Sequence, residues 1–199
     1  MGRIGQSALL GSAIAILCAT AAPLFASEGS SRGGSAAGER NARMQNAAYG
    51  FAPGDRIAAR ILDTHNAERD RLRLPRLKWN PHLEREAAEW ATTLGRRGVL
   101  EHASGQTRNG TGENLWMGTA GAWNVESMVG MFVEERKHYR HAAFPDVSHT
   151  GNWADVGHYT QIVWRDTKEV GCAMATERGN DVLVCRYWPA GNVWGAKAF

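Results

Sequence analysis

The sequence predicts an α+β domain in which helices pack on a small, mostly antiparallel sheet. Three observations carry that prediction. Apolar residues recur at helical spacing in three stretches between residues 56 and 139. Residues 170–188 read as a β-hairpin centred on Glu177-Arg178-Gly179-Asn180. A polar, glycine-rich stretch over 102–121 separates the second helix from the third and reads as loop.

Along the domain, Pro53-Gly54-Asp55 followed by Ile57, Ile61, Leu62, His65 and Leu72 predicts an Asp-capped amphipathic helix over about 56–72. Pro75 ends it, and His65, one turn after Ile61, is expected to be a buried structural histidine. Leu77 and Trp79 alternate briefly. Asn80-Pro81 then opens a second helix, with proline at its first position and Leu83, Ala87, Trp90, Ala91 and Leu94 on one face, closed by Gly95 and Gly98. Within the polar stretch only Glu113-Asn114-Leu115-Trp116 is expected to form a short insert.

A third helix is expected over about 125–139, with Val125, Met128, Val129, Phe132, Arg136 and Tyr139 on its inner side. At ~100° per residue, Glu135 lies about 60° from Phe132, at the edge of that side, whereas Glu134 points away. His138 and His141 fall near its end, where a cation suits the helix dipole. Residues 158–164 alternate as a strand with His158, Thr160, Ile162 and Trp164 on one face. Trp90, Trp164 and Trp188 are expected in the core.

The hairpin places two cysteines. If Arg178 and Gly179 are its loop residues, Cys172 and Cys185 fall opposite each other in a non-hydrogen-bonded pair, where Cα atoms sit about 4.5 Å apart, within disulfide reach. The only other cysteine, Cys18, lies in the leader. The remaining pair is therefore expected to form a Cys172–Cys185 disulfide in an oxidising compartment.

That compartment follows from the N-terminus. Arg3, an apolar run from Ala8 to Leu17 and small residues ending at Ala21 or Ala26 read as a secretory signal peptide over 1–26. The run is interrupted by Gly11 and Ser12, and is short of the ~20 residues a membrane span needs. Residues 27–52, rich in Ser, Gly, Ala and Arg, read as a flexible linker, leaving 53–199 as one domain. A chain of that size buries roughly 70% of its unfolded surface, enough for its own core. Without 1–26 it carries 22 basic residues against 20 acidic, with no block of like charge, which argues against nucleic acid as a partner.

No His-Glu-x-x-His, Gly-x-Ser-x-Gly, P-loop or dinucleotide glycine pattern occurs. What stands out is polarity where polarity is costly: His102 in a loop, Glu113 after Gly112, Glu135 on a helix's inner edge and His158 in an apolar run. Two imidazoles and two carboxylates suit a divalent cation, zinc above all. They equally suit a metal-free set in which glutamates orient histidines. Periodicity alone does not bring the four together.

Gly157-His158-Tyr159-Thr160-Gln161-Ile162-Val163-Trp164 resembles the signature segment of the CAP superfamily, the cysteine-rich secretory, antigen 5 and pathogenesis-related 1 proteins. Val182-Leu183-Val184-Cys185-Arg186-Tyr187 with Pro189, Gly191 and Asn192 resembles its second signature, and Gly112-Glu113-Asn114-Leu115 and His65-Asn66 with Arg69 match as well. The resemblance spans about 57–195. It implies a three-layer α-β-α sandwich with a central cleft lined by His102, Glu113, Glu135 and His158. The same glutamate is thus chosen by helix geometry and by resemblance. Ala103 stands where relatives often carry serine, and there is one candidate disulfide where many eukaryotic members have several.

The resulting expectation is an extracytoplasmic, monomeric binding protein. Its cleft would hold Zn2+ or another divalent cation at His102, His158, Glu113 and Glu135, and its ligand would be a sterol, a fatty acid or an extracellular protein. The alternative is a metal-dependent, peptidase-like hydrolase in the same cleft, with metal-bound water activated by a glutamate. A metal-free Ser104–His102 pair lacks an orienting acid and is set aside. Surface loops around residues 144–153 serving as a binding edge, with the four residues purely structural, form the third reading. Asn109-Gly110-Thr111 is a glycosylation sequon.

Overall fold

The computed structural model describes Tyr49, Gly50 and residues 56–199. The leader at 1–26, most of the linker and the cap expected at Asp55 lie outside the described residues. Among those described, no helix is long and apolar enough to cross a membrane.

The elements follow the chain. Strand β1 (Tyr49–Gly50) precedes helix α1 (Arg56–Arg71), strand β2 (Lys78–Trp79) and helix α2 (Pro81–Arg97). A one-turn helix α3 (Gly105–Arg108) leads to strand β3 (Gly112–Thr119) and helix α4 (Val125–Glu134), which tightens into a 3-10 turn at Glu135–His138. A second 3-10 turn (Trp153–Val156) runs into helix α5 (Gly157–Ile162), and strands β4 (Glu169–Glu177) and β5 (Asn180–Trp188) form the hairpin. The sheet order is β1-β4-β5-β3, with β2 parallel to the start of β4 and the other pairings antiparallel.

Helix α2 keeps its expected bounds because its ends are written locally. Asn80 Oδ1 accepts from the His82 and Leu83 N–H groups, Pro81 occupies the first position, and Gly98 closes the helix at φ 67°. Its face of Leu83, Ala87, Ala91 and Leu94 covers one side of the sheet together with Ala173, Ala175, Val182, Val184 and Leu115. Gly171 permits the approach: a Cβ there would lie 2.3 Å from the Glu84 nitrogen. The alternate residues of the same strands, Val170, Cys172, Leu183, Cys185 and Tyr187, face the opposite layer of α1, α4 and α5. The result is the three-layer α-β-α arrangement.

The hairpin matches expectation. Arg178 and Gly179 have φ of 52° and 79°, the left-handed pair of a two-residue turn. Cys172 pairs with Cys185 in register, and the two form a disulfide at a Cα–Cα distance of 4.1 Å.

Three expectations are corrected. Residues 158–164 are not a strand: Gly157–Ile162 is helical, because the Glu135 carboxylate accepts from the backbone N–H groups of both His158 and Tyr159 in its first turn. The loop expected over 102–121 contains the full eight-residue strand β3, paired along its length with β5. Trp188 lies 44% exposed at the end of β5, while Trp164 is buried and Trp90 partly so.

Helix α1 buries polar residues and satisfies each. His65 holds Ile61 O and the Tyr187 hydroxyl, both at 2.8 Å. Asn66 and Leu77 exchange two hydrogen bonds. Arg69, fully buried, donates to the carbonyls of Pro75, Ile162, Trp164, Arg165 and Thr167, tying the segment before β2 to the α5–β4 connection.

Candidate functional site

The four sequence-selected residues form two histidine–glutamate pairs. Glu135 is the first residue beyond α4, one turn after Phe132, so the inner edge of that helix supplies both a ring and a carboxylate to His158. His158 Nδ1 lies 2.6 Å from Glu135 Oε1, and its imidazole stacks on Phe132 at 4.6 Å between ring centroids. Glu135 Oε2 takes the His158 and Tyr159 N–H groups, each at 3.0 Å. The carboxylate therefore starts helix α5 and orients the ring that α5 carries.

The second pair is built on β3. Glu113 Oε1 accepts from His102 Nδ1 at 2.7 Å and from the Ala103 N–H at 3.0 Å. Its other oxygen lies 3.0 Å from Arg186 Nη2, a close ion pair without hydrogen-bonding geometry. Arg186 faces Glu113 directly across the β3–β5 ladder. Burial pushes the Arg186 guanidinium below its usual range, partly offset by the charges of Glu113 and Glu86. His102 therefore does have an orienting acid, contrary to expectation, but Ser104 caps α3 through Thr107 N–H and bonds the Thr107 hydroxyl, so its side chain is engaged in the turn.

Residues at the start of β3 connect the pairs. Glu113 points to one face of the strand and holds His102. Asn114 points to the other, donating to the His158 carbonyl and the Tyr187 hydroxyl, each at 3.1 Å. Gly112 lets α5 reach this strand, since a Cβ would lie 1.9 Å from Gln161 Oε1. Asn192 completes the frame by donating to Gly157 O and accepting from the Thr160 hydroxyl. Both pairs thus flank the first residues of edge strand β3.

A neutral imidazole that donates its Nδ1–H to the carboxylate carries its lone pair on Nε2. The His102 side chain is 57% exposed and that of His158 32%, so both rings reach solvent. Among the described residues the one group of three possible metal ligands lying together is His65, Cys172 and Cys185, and it is inert: the two sulfurs are bonded to each other and both His65 nitrogens are engaged. Burial lowers the His65 pKa to about 4, which keeps that ring neutral.

Sequence reasoning missed Arg186, Asn114 and Tyr187. A charge inside the apolar run 182–188 is a signal for Arg186, but naming its partner requires the β3–β5 pairing, which the glycine-rich 102–121 stretch does not announce.

The family model described as CAP, the cysteine-rich secretory protein family, matches residues 62–187. The chain belongs to this family. Its CAP domain is 33% identical over 139 residues to pathogenesis-related protein 1C of Nicotiana tabacum, covering 69% of this chain and 78% of that protein. It is 33% identical over 134 residues to the human Golgi-associated plant pathogenesis-related protein 1, covering 67% of this chain and 82% of the relative. Among solved structures, NaASP2 with Zn2+ superposes with a TM-score of 0.61 at 22% identity, over 73% of this chain and 88% of that one. This likeness establishes the CAP fold, with its helix–sheet–helix layering, in the present chain.

Proposed function

We propose that this chain is an extracytoplasmic CAP-domain binding protein whose His102 and His158 hold a divalent cation through their Nε2 atoms. The observation that carries the reading is the pairing of each Nδ1 with its own glutamate, at 2.7 Å and 2.6 Å. Carboxylate–histidine pairs of this kind set the tautomer and raise the basicity of a metal-binding nitrogen. Glu113 and Glu135 are the orienting groups in this arrangement, each spent on its histidine and on backbone N–H groups.

The donor set fits zinc, which takes neutral imidazole nitrogen and leaves positions for water or a ligand group. A bound cation would act there as a Lewis acid on whatever oxygen occupies those positions. Zn2+ accompanies the related NaASP2 structure, and a relative from Candida albicans is named a secreted protein. Both support the reading. The organic ligand belongs to the same proposal: a sterol, a fatty acid or an extracellular protein.

The test is zinc titration calorimetry on the chelator-stripped chain near neutral pH, beside a folded His102→Ala/His158→Ala variant. Saturable binding that disappears in the variant supports the site. Absence of saturable binding in the intact chain removes it, together with any metal-dependent hydrolysis.

A further inference from the structure

A cavity of about 470 Å3 opens between the segment before β2 and the α5–β4 connection. Arg76 and Lys78 line one wall and Arg165 and Lys168 the other, with Asp166 and Glu169 among them. Arg76 is answered by Asp70 at 3.5 Å and Asp63 at 3.9 Å. Among the described residues Lys78, Arg165 and Lys168 have no ion pair.

Arg69 adds a buried cation that binds both walls. Its five N–H groups go to five carbonyls, from 2.6 Å at Pro75 to 3.4 Å at Arg165, and to no carboxylate. Hydrogen bonds are complete there, but the charge is not compensated. Burial, and next the charge of Arg165, lower the Arg69 pKa to about 10, so the two guanidiniums feel each other. With Arg76 and its partners counted, Arg69, Arg76, Lys78, Arg165 and Lys168 stand against Asp63, Asp70, Asp166 and Glu169, the last held by Asn80 Nδ2 at 2.7 Å. One positive charge remains over.

We propose that this cavity binds an oxyanion, a phosphate or sulfate group, between Lys78 on one wall and Arg165 and Lys168 on the other. An ordinary solvated charge run would spread such side chains over an open face. Here the three exposed side chains border one cavity, and Arg69 fixes the backbone from which they rise. A preformed frame lowers the ordering cost of binding, and guanidinium and ammonium are the groups that recognise phosphate oxygens.

The test uses the full chain at low ionic strength, titrated calorimetrically with sodium pyrophosphate and, in parallel, sedimented with phosphatidylcholine vesicles with and without phosphatidylinositol phosphate. Arg165→Ala/Lys168→Ala is the site variant, and Lys78→Ala probes the other wall. Arg96→Ala/Arg97→Ala removes the same charge at the end of α2, where Arg96 meets Glu177 and Arg97 meets Glu101. The expected result is one saturable site, weakened about tenfold or more in the site variants, consistent with loss of charge-assisted hydrogen bonds, and unchanged in the control. Binding of pyrophosphate alone assigns a soluble anion. Sedimentation only with phosphoinositide vesicles assigns a lipid headgroup. No saturable binding in either arm, or equal weakening in site and control variants, overturns the proposal.

Discussion

Glu113 and Arg186 stand opposite each other on neighbouring strands, 7% and 1% exposed, and the carboxylate that neutralises Arg186 is the one that holds His102. Structure and site therefore share one buried charge. Truncating one member of such a pair leaves the other uncompensated, at a cost of about 3–5 kcal/mol. Arg186→Ala is expected to lose stability of this size in urea unfolding. Glu113→Gln/Arg186→Met should recover part of the loss while still impairing zinc binding through His102.

Glu135→Gln tests the other pair. Both backbone N–H groups go to Oε2 and the His158 Nδ1–H to Oε1, so an amide nitrogen would face a donor in either orientation. Calorimetry is expected to show zinc affinity reduced about 10–100-fold, the range for losing an orienting partner of a ligating histidine. Unfolding should show a loss of roughly 1–3 kcal/mol.

Acid should weaken the fold through His65. Its folded pKa is lowered to about 4 by burial, against about 6.5 in the unfolded chain. Between these values the unfolded state binds more protons, so stability is fully present above about pH 6.5 and is lost as pH falls towards 4. The contribution is about 3 kcal/mol. Unfolding at pH 6.5 and 5 compares the wild type with His65→Gln, and the variant is expected to show the shallower decline.

The disulfide closes a loop with a sequence separation of 13 residues. Reduction, or Cys172→Ala/Cys185→Ala, is expected to cost about 3 kcal/mol by thermal or urea unfolding. The expected sheet pairing predicts a folded variant, checked by circular dichroism.

Gly171→Ala forces a methyl group against the backbone of α2, 2.3 Å from the Glu84 nitrogen. Overpacking of this kind costs roughly 1–3 kcal/mol. A melting temperature equal to wild type would show that α2 shifts freely on the sheet.

Locally encoded features could be read from the chain. Asn80-Pro81 and Gly98 bound α2, Arg178-Gly179 turns the hairpin, and Cys172 and Cys185 follow from that turn. What escaped depends on distant partners. Residues 159–164 are buried all round, so neither period of two nor helical spacing is decisive there, and a carboxylate 23 positions away starts the helix. Strand β3 was hidden by its glycines, which serve close approach: Gly112 to Gln161, Gly118 to Trp116. Glu135 was legible because it and Phe132 share a helix edge; the pairing of each glutamate with one particular histidine was not.

The five carbonyls held by Arg69 belong to the main chain, and every residue type has one. The guanidinium therefore specifies the path of the 162–168 connection while leaving its outward lettering open. Positions such as 165, 166 and 168 can be rewritten, by drift or by design, on an unchanged backbone. One side chain separates how this loop is built from what it says to its surroundings.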